Sequence, residues 1–375
     1  MLKRDLIIAA AIALAAMPAA AQTTKKLTAS KANEFGLVYS LPLTALDVTV
    51  EAERNVRTRG EFYKYSRKYL NIDPILEDET VWTLKSVTVN PTSIAAETDG
   101  EDDRRYLVQF KNGTQPFMML TEESFPLSIN SAEVPEKTLQ NPVPEPVKAA
   151  PTPLEVPAAR QAVTEEMLQA RSIAKKAEIA AAKIYEIRQT RNDIISGQAE
   201  GMPSDGAAMK LALDNLDSQE AALTAMFTGT ESKSTAVRTF SVVPARLDTK
   251  GETENITVAR LSAIEGIVDS TDLSGAPIEL TISAESIGQL PMNEKGQPKQ
   301  FPKGGLAYCV PGRGLIDVSY NGRQIFSDSF DLSQFGVVFG LEPGLFTDKK
   351  APAYARFDPS TGAIVELGTA SPTER

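Results

Sequence analysis

None of the 375 residues is a histidine, and one, Cys309, is a cysteine. Those two counts exclude most nucleophilic and metal chemistry. Ser-His-Asp and Cys-His machinery needs an imidazole, and so do histidine-ligated zinc, copper and iron sites. Carboxylates remain, clustered at Glu77-Asp78-Glu79, at 99–103 (DGEDD) and at Glu122-Glu123. A glycosidase needs two carboxyls at a set separation, which sequence spacing does not disclose. The 99–103 cluster departs from the spacing of a calcium loop. It falls where a hairpin tip is expected and reads as a solvated acidic turn, with an opportunistic calcium site as the alternative. Ser172-Ile173-Ala174-Lys175 matches the Ser-x-x-Lys pattern of penicillin-recognising enzymes, but no Ser-Asp-Asn or Lys-Thr-Gly partner accompanies it. The match is chance. The glycine-rich GGLAYCVPGRG (304–314) lacks the Gly-Lys-Ser/Thr ending of a phosphate loop and no helix follows. In strand alternation Cys309 shares a face with Ala307 and reads as a buried structural thiol. No catalytic residue, metal site or cofactor is assigned.

One charge anomaly stands out. The chain carries a net charge of −10, yet Arg54, Arg57, Arg59, Lys64, Arg67 and Lys68 face only Glu61. Tyr63, Tyr65 and Tyr69 are interleaved with them. Cations beside aromatic faces suit an anionic partner: a phospholipid headgroup, lipopolysaccharide or an acidic protein. The plainer reading is a solvated helix face whose tyrosines cover a neighbouring sheet. The candidate partner-binding residues are Arg54, Arg57, Arg59, Tyr63, Lys64, Arg67 and Lys68. The acidic balance argues against nucleic-acid binding.

The elements that must position these residues follow from pattern. Lys3 and Arg4, the apolar run Leu6–Met17 and the Ala19-Ala20-Ala21 site read as a signal peptide over 1–21, with the mature chain from Gln22. The apolar run is too short to span a bilayer and no cysteine follows the cleavage site, so the expectation is an exported protein, periplasmic or outer-membrane-associated, without a lipid anchor and without a transmembrane segment. With a single cysteine, no internal disulfide can form. Residues 22–133 read as a β-rich domain. Leu46, Val48, Val50 and Ala52 alternate in one strand, VWTLKSVTV (81–89) and RYLVQFK (105–111) are further strands, and Asn112-Gly113 is a turn. One amphipathic helix is expected over 60–72. Residues 134–161 are a proline-rich linker, with seven prolines between Val134 and Pro157. Residues 162–229 read as a helical hairpin. The first helix runs from Thr164, on the order of 50 Å long at 1.5 Å per residue, and the second is capped by Ser204. Residues 230–375 read as a second β-rich domain with a Tyr320-Asn321-Gly322-Arg323 turn. The fold class is therefore α+β: two β-rich, sandwich-like domains with a long antiparallel helical hairpin between them. The alanine-rich helical stripe also allows a homo-oligomer through the hairpin.

The stretch DLSQFGVVFGLEPGLF (331–346) places Phe335, Val337 and Phe339 on one face and Val338 between Gly336 and Gly340 on the other. A strand apolar on both faces is buried, and the glycines alternatively let a partner backbone approach. Together with VYSLPLTALDVTVEAE, GEFYKYSRKYLNI, VWTLKSVTV, GLAYCVPGRGLIDVSYNG and FDPSTGAIVELG, it resembles a secreted Bacteroidales family known as a domain of unknown function. The resemblance spans about Phe35 to Gly368 and implies a cell-envelope setting, with no catalytic or binding residue to carry over. The expected function is a non-enzymatic envelope protein that binds a protein or an anionic envelope component in a scaffold or assembly role. A carboxylate-dependent glycan-active enzyme and a small-ligand carrier are the alternatives.

Overall fold

The computed structural model describes residues 23–26, 36–96, 104–109, 118–133, 141–199, 206–346 and 352–369. The expected signal sequence, the 99–103 cluster, the Asn112-Gly113 turn and Ser204 lie outside the described residues. The fold is mixed α and β. In chain order it runs β1 (Thr23–Lys26), β2 (Leu37–Ser40), β3 (Leu43–Thr58), α1 (Ser66–Leu70), β4 (Glu79–Ile94), β5 (Arg105–Gln109), β6 (Met118–Leu120) and β7 (Pro126–Ile129). Then come α2 (Pro157–Ala162), α3 (Glu165–Gln169), α4 (Ile173–Ser196), α5 (Gly206–Thr228), β8 (Thr230–Val242), β9 (Thr253–Ser262), β10 (Gly266–Asp269), β11 (Ala276–Ser286), β12 (Leu306–Tyr320), β13 (Arg323–Leu341), β14 (Ala353–Phe357) and β15 (Ile364–Thr369).

The strands form four sheets, ordered β1-β5-β2, β4-β3-β8, β10-β9-β11-β12-β13 and β15-β14-β7-β6. Sheet pairing joins the two β-rich stretches of sequence: β8 pairs along its whole length with β3, from Leu46 to Thr58, and β7 pairs with β14. The first core lies between β4-β3-β8 and the five-stranded sheet, where Leu46, Val48, Val50 and Ala52 meet Ile278, Leu280, Ile282, Ile316, Phe330 and Phe335. The second gathers Tyr39, Leu41, Val108, Ile129, Leu306, Leu341, Ala355 and Phe357. The third is helical: Ala177, Ala180, Ile184 and Ile187 of α4 meet Leu223 and Phe227 of α5 and Phe62 of the β3–α1 loop.

Strands β12 and β13 belong to both β cores. Leu306 and Leu341 sit in the second, whereas Ile316, Phe330 and Phe335 sit in the first. The stretch Leu306–Tyr320 forms one strand, β12, that passes Pro311 at a register shift between Val310 and Gly312. A bulge leaves the proline unpaired, which is how a strand interior accepts it. The expected Asn321-Gly322 turn forms, with φ of 50° and 71°. The helix expected from Thr164 is broken: Ala170 is extended, and Ser172 caps a new helix by accepting from Lys175 N at 3.2 Å. Arg188 pairs with Glu220 at 2.6 Å and Arg191 with Asp217 at 2.7 Å, and these ion pairs tie α4 to α5.

The proline-rich connector is strapped to the sheet over 141–147. Asn141 exchanges hydrogen bonds with the Asn90 side chain (3.0 and 2.9 Å), and Thr235 N donates to Val147 O at 2.8 Å. It therefore passes from β4 over β3 to β8. Val147 N donates to Thr235 Oγ1, which itself bonds the buried Glu51 carboxylate. Burial pushes the Glu51 carboxyl up, but hydrogen bonds from Lys85 and Ser86, each 2.8 Å, outweigh it and hold it below the usual carboxylate range.

Candidate functional site

The basic segment forms a corner between β3 and β4, and its backbone is fixed by the end of α5. A Cβ on Gly60 would collide with the Met226 carbonyl oxygen. Phe62 N donates to that oxygen at 2.7 Å, and the Phe62 and Phe227 rings lie 5.3 Å apart. Ile75 N donates to Thr228 O at 2.8 Å on the return. The helix expected over 60–72 is shorter than its pattern: a 3-10 turn at Tyr63–Tyr65 leads into the five residues of α1. Asn71, at φ 55°, ends it, and Ser66 Oγ donates to Ile72 O at 2.8 Å. The docking of Phe62 and Leu70 into the helical core sets this geometry, overriding the helical period.

Carboxylates from the following segment meet half of the cations. Arg57 approaches Glu79 at 3.9 Å, Arg59 approaches Asp78 at 3.9 Å, and Arg67 pairs with Asp73 at 2.5 Å. Such exposed pairs contribute little to stability, about 0–1 kcal/mol each. They do cancel charge, so the corner is far less basic than its sequence. Among the described residues, Arg54, Lys64 and Lys68 have no carboxylate partner. Lys64 and Arg59 lie over the Tyr63 ring at 5.7 and 5.5 Å, and Lys68 lies over Tyr69 at 4.8 Å. Tyr185 of α4 donates its hydroxyl to Tyr69 O at 2.8 Å, which ties this strip to the helices. Arg54 stands apart, opposite Trp82 on β4. Asp73, Asp78, Glu79 and Tyr185 were not legible as members of the site. Asp78 and Glu79 appear in sequence only as part of an acidic run, and nothing local points Asp73 at Arg67 or Tyr185 at Tyr69.

The other candidates resolve into structure. Asp78 and Glu79 are held in the ion pairs above. Glu122 and Glu123 occupy an exposed turn. Ser172 caps α4, and Lys175 pairs with Glu178 at 3.0 Å. Among the described residues no group of three or more Cys, Asp or Glu side chains could hold a metal ion.

Gln334 and Cys309 meet where the two β cores join. Gln334 Nε2 donates to Thr44 O at 2.5 Å, and its Oε1 accepts from Thr44 N at 3.2 Å. Ser333 Oγ accepts from Thr44 N, and Thr44 Oγ1 accepts from Ser333 N, each at 3.0 Å. Arg104 Nη1 donates to Ser333 O at 3.3 Å, and Cys309 Sγ donates to the same oxygen at 3.8 Å. Burial pushes the Cys309 thiol up to about 11, and Arg104 only partly offsets this. A thiol in that state is inert. The glycines around it allow backbones to touch each other: a Cβ on Gly336 would collide with the Val310 carbonyl oxygen.

No curated protein and no solved structure matches the chain. A family model does, from residue 35 to residue 365, covering both β cores, the helices and the basic corner. The chain belongs to the family described as Domain of unknown function (DUF4831).

Proposed function

We propose that this is a non-enzymatic, exported envelope protein that binds a protein or an anionic envelope component through the corner carrying Lys64 and Lys68. The observation that carries the reading is the placement of these two ammonium groups over tyrosine faces, outside any ion pair among the described residues, on a backbone clamped to α5. A cation–π contact of about 0.5–1 kcal/mol holds each lysine in place while leaving its donors to a ligand. A pre-ordered lysine loses less side-chain entropy on binding than a free one. Because Asp73, Asp78 and Glu79 damp the wider field, the corner reads a local anionic group and not a uniformly charged surface.

The finer architecture is part of this reading. The three- and five-stranded sheets are taken as a β-sandwich, supported by their shared core. Helices α4 and α5 are taken as an antiparallel hairpin, supported by the crossed Arg188 and Arg191 pairs. A signal sequence over 1–21 and a periplasmic or outer-membrane-associated destination complete it. No helix among the described residues is long and apolar enough to cross a membrane. The test is partner recovery after crosslinking in intact cells. Replacing Lys64 and Lys68 with Glu should cut recovery at least about tenfold, the scale of a lost charged contact, without lowering the unfolding midpoint. Unchanged recovery would sink the proposal.

A further inference from the structure

We propose that the turns at one end of the five-stranded sheet form a self-association surface whose occupant is a second copy of this chain. Ile264 and Leu273 are the two most exposed large apolar side chains among the described residues, at 78% and 80%. They sit on neighbouring turns. Ile264 lies between β9 and β10 and Leu273 between β10 and β11, with β9 between those strands in the sheet. Ser274 Oγ donates to Glu265 Oε2 at 3.4 Å, joining the two turns.

Both turns are braced from below. Ser262 Oγ accepts from the Ile264 and Glu265 amides at 3.3 Å, and Trp82 N donates to Ala263 O at 2.8 Å. The Trp82 ring covers Gly266, which has a φ of 84°. Arg260 donates to Ser270 O and Gly275 O at 2.9 and 3.1 Å, and Asp272 Oδ1 accepts from Ser274 N at 2.9 Å. Two aliphatic side chains held out on fixed backbone lose little ordering entropy when covered.

The rim says what covers them. Glu265 and Asp272 flank the apolar pair, and Arg54, exposed and without a carboxylate partner among the described residues, lies opposite Trp82 in the β3–β4 register. A two-fold rotation about this apolar centre would set Arg54 of each copy against Glu265 of the other, pairing charges of opposite sign. In a chain of net charge −10, self-contact needs a local cation to offset repulsion, and Arg54 supplies it. This surface does not involve Lys64 or Lys68.

Sedimentation velocity of the purified full chain over a concentration series tests the proposal. The expected result is a monomer–dimer equilibrium whose Kd rises about a hundredfold in the Ile264→Asp/Leu273→Asp variant, with a thermal midpoint equal to that of the unaltered chain at concentrations where both are monomers. Arg54→Glu and Glu265→Arg should each weaken the dimer, and the two together should restore it. A monomer at every concentration, a dimer indifferent to the apolar substitutions, or a charge swap without rescue would each overturn it.

Discussion

Gln334 is a neutral polar side chain in an apolar stretch, and its role is structural: it is 5% exposed and both ends of its amide are bonded to the Thr44 backbone. Gln334→Leu would strand the buried Thr44 carbonyl oxygen, while Thr44 N keeps Ser333 Oγ as its acceptor, so urea unfolding should show a loss of about 1–3 kcal/mol. Cys309 gives a signed pH prediction. Its thiol is pushed from an ordinary 9.0 to about 11, so the unfolded chain ionises first. Its contribution to stability is complete below pH 9 and is lost as pH rises towards 11. Cys309→Ala should flatten the alkaline fall of the midpoint over that window. Glu51 acts in the opposite direction, because its carboxyl is held low: its contribution is present above the ordinary carboxylate range and is lost as pH falls through the folded value. Glu51→Gln should therefore flatten the acid limb of a stability profile.

At the scale of elements, strand and helix faces were legible and their neighbours were not. The alternation of Leu46, Val48, Val50 and Ala52 names the face of β3 that is buried, and the helical stripe Ala170, Ile173, Ala177, Ala180, Ile184 and Ile187 does so for α4 from Ala177 onward, whereas Ile173 is exposed at the start of the helix. Period alone places both, since each element has one apolar face to hide. The opposite face of β3 defeats that reasoning. Thr49 and Glu51 are buried as well, on the face that the connector crosses between Asn90 and Thr235, and a linker signature does not say what it lies on. The basic corner fails for a related reason. Its charge count stops at Lys68, while the neutralising carboxylates begin at Asp73 and reach back only once the corner is folded on α5. The β12–β13 pair carries the element-scale prediction. A Cβ at Gly336 would meet the Val310 carbonyl oxygen across that pair, so Gly336→Ala should cost about 3 kcal/mol, read as a lower denaturant midpoint.

Over the whole molecule, the two β cores share β12 and β13, and the third core is joined to them at Gly229, where a Cβ would collide with the Thr58 carbonyl oxygen. Neither β core can open without breaking strands that the other uses. Unfolding should therefore be one cooperative transition, and Cys309, at the junction, should become reactive to a thiol reagent at the same denaturant concentration at which secondary structure is lost. Reactivity at a lower concentration would show that the cores separate first. This frame holds the Lys64–Lys68 corner against α5. The most direct measurement places a photoreactive amino acid at Glu61, and at Asp214 on α5 as a control, and irradiates intact cells. Both side chains are exposed. A discrete higher-mass adduct is expected from position 61, absent from position 214 and lost in the Lys64→Glu/Lys68→Glu background. No adduct from position 61, or one that survives the charge reversals, would contradict it.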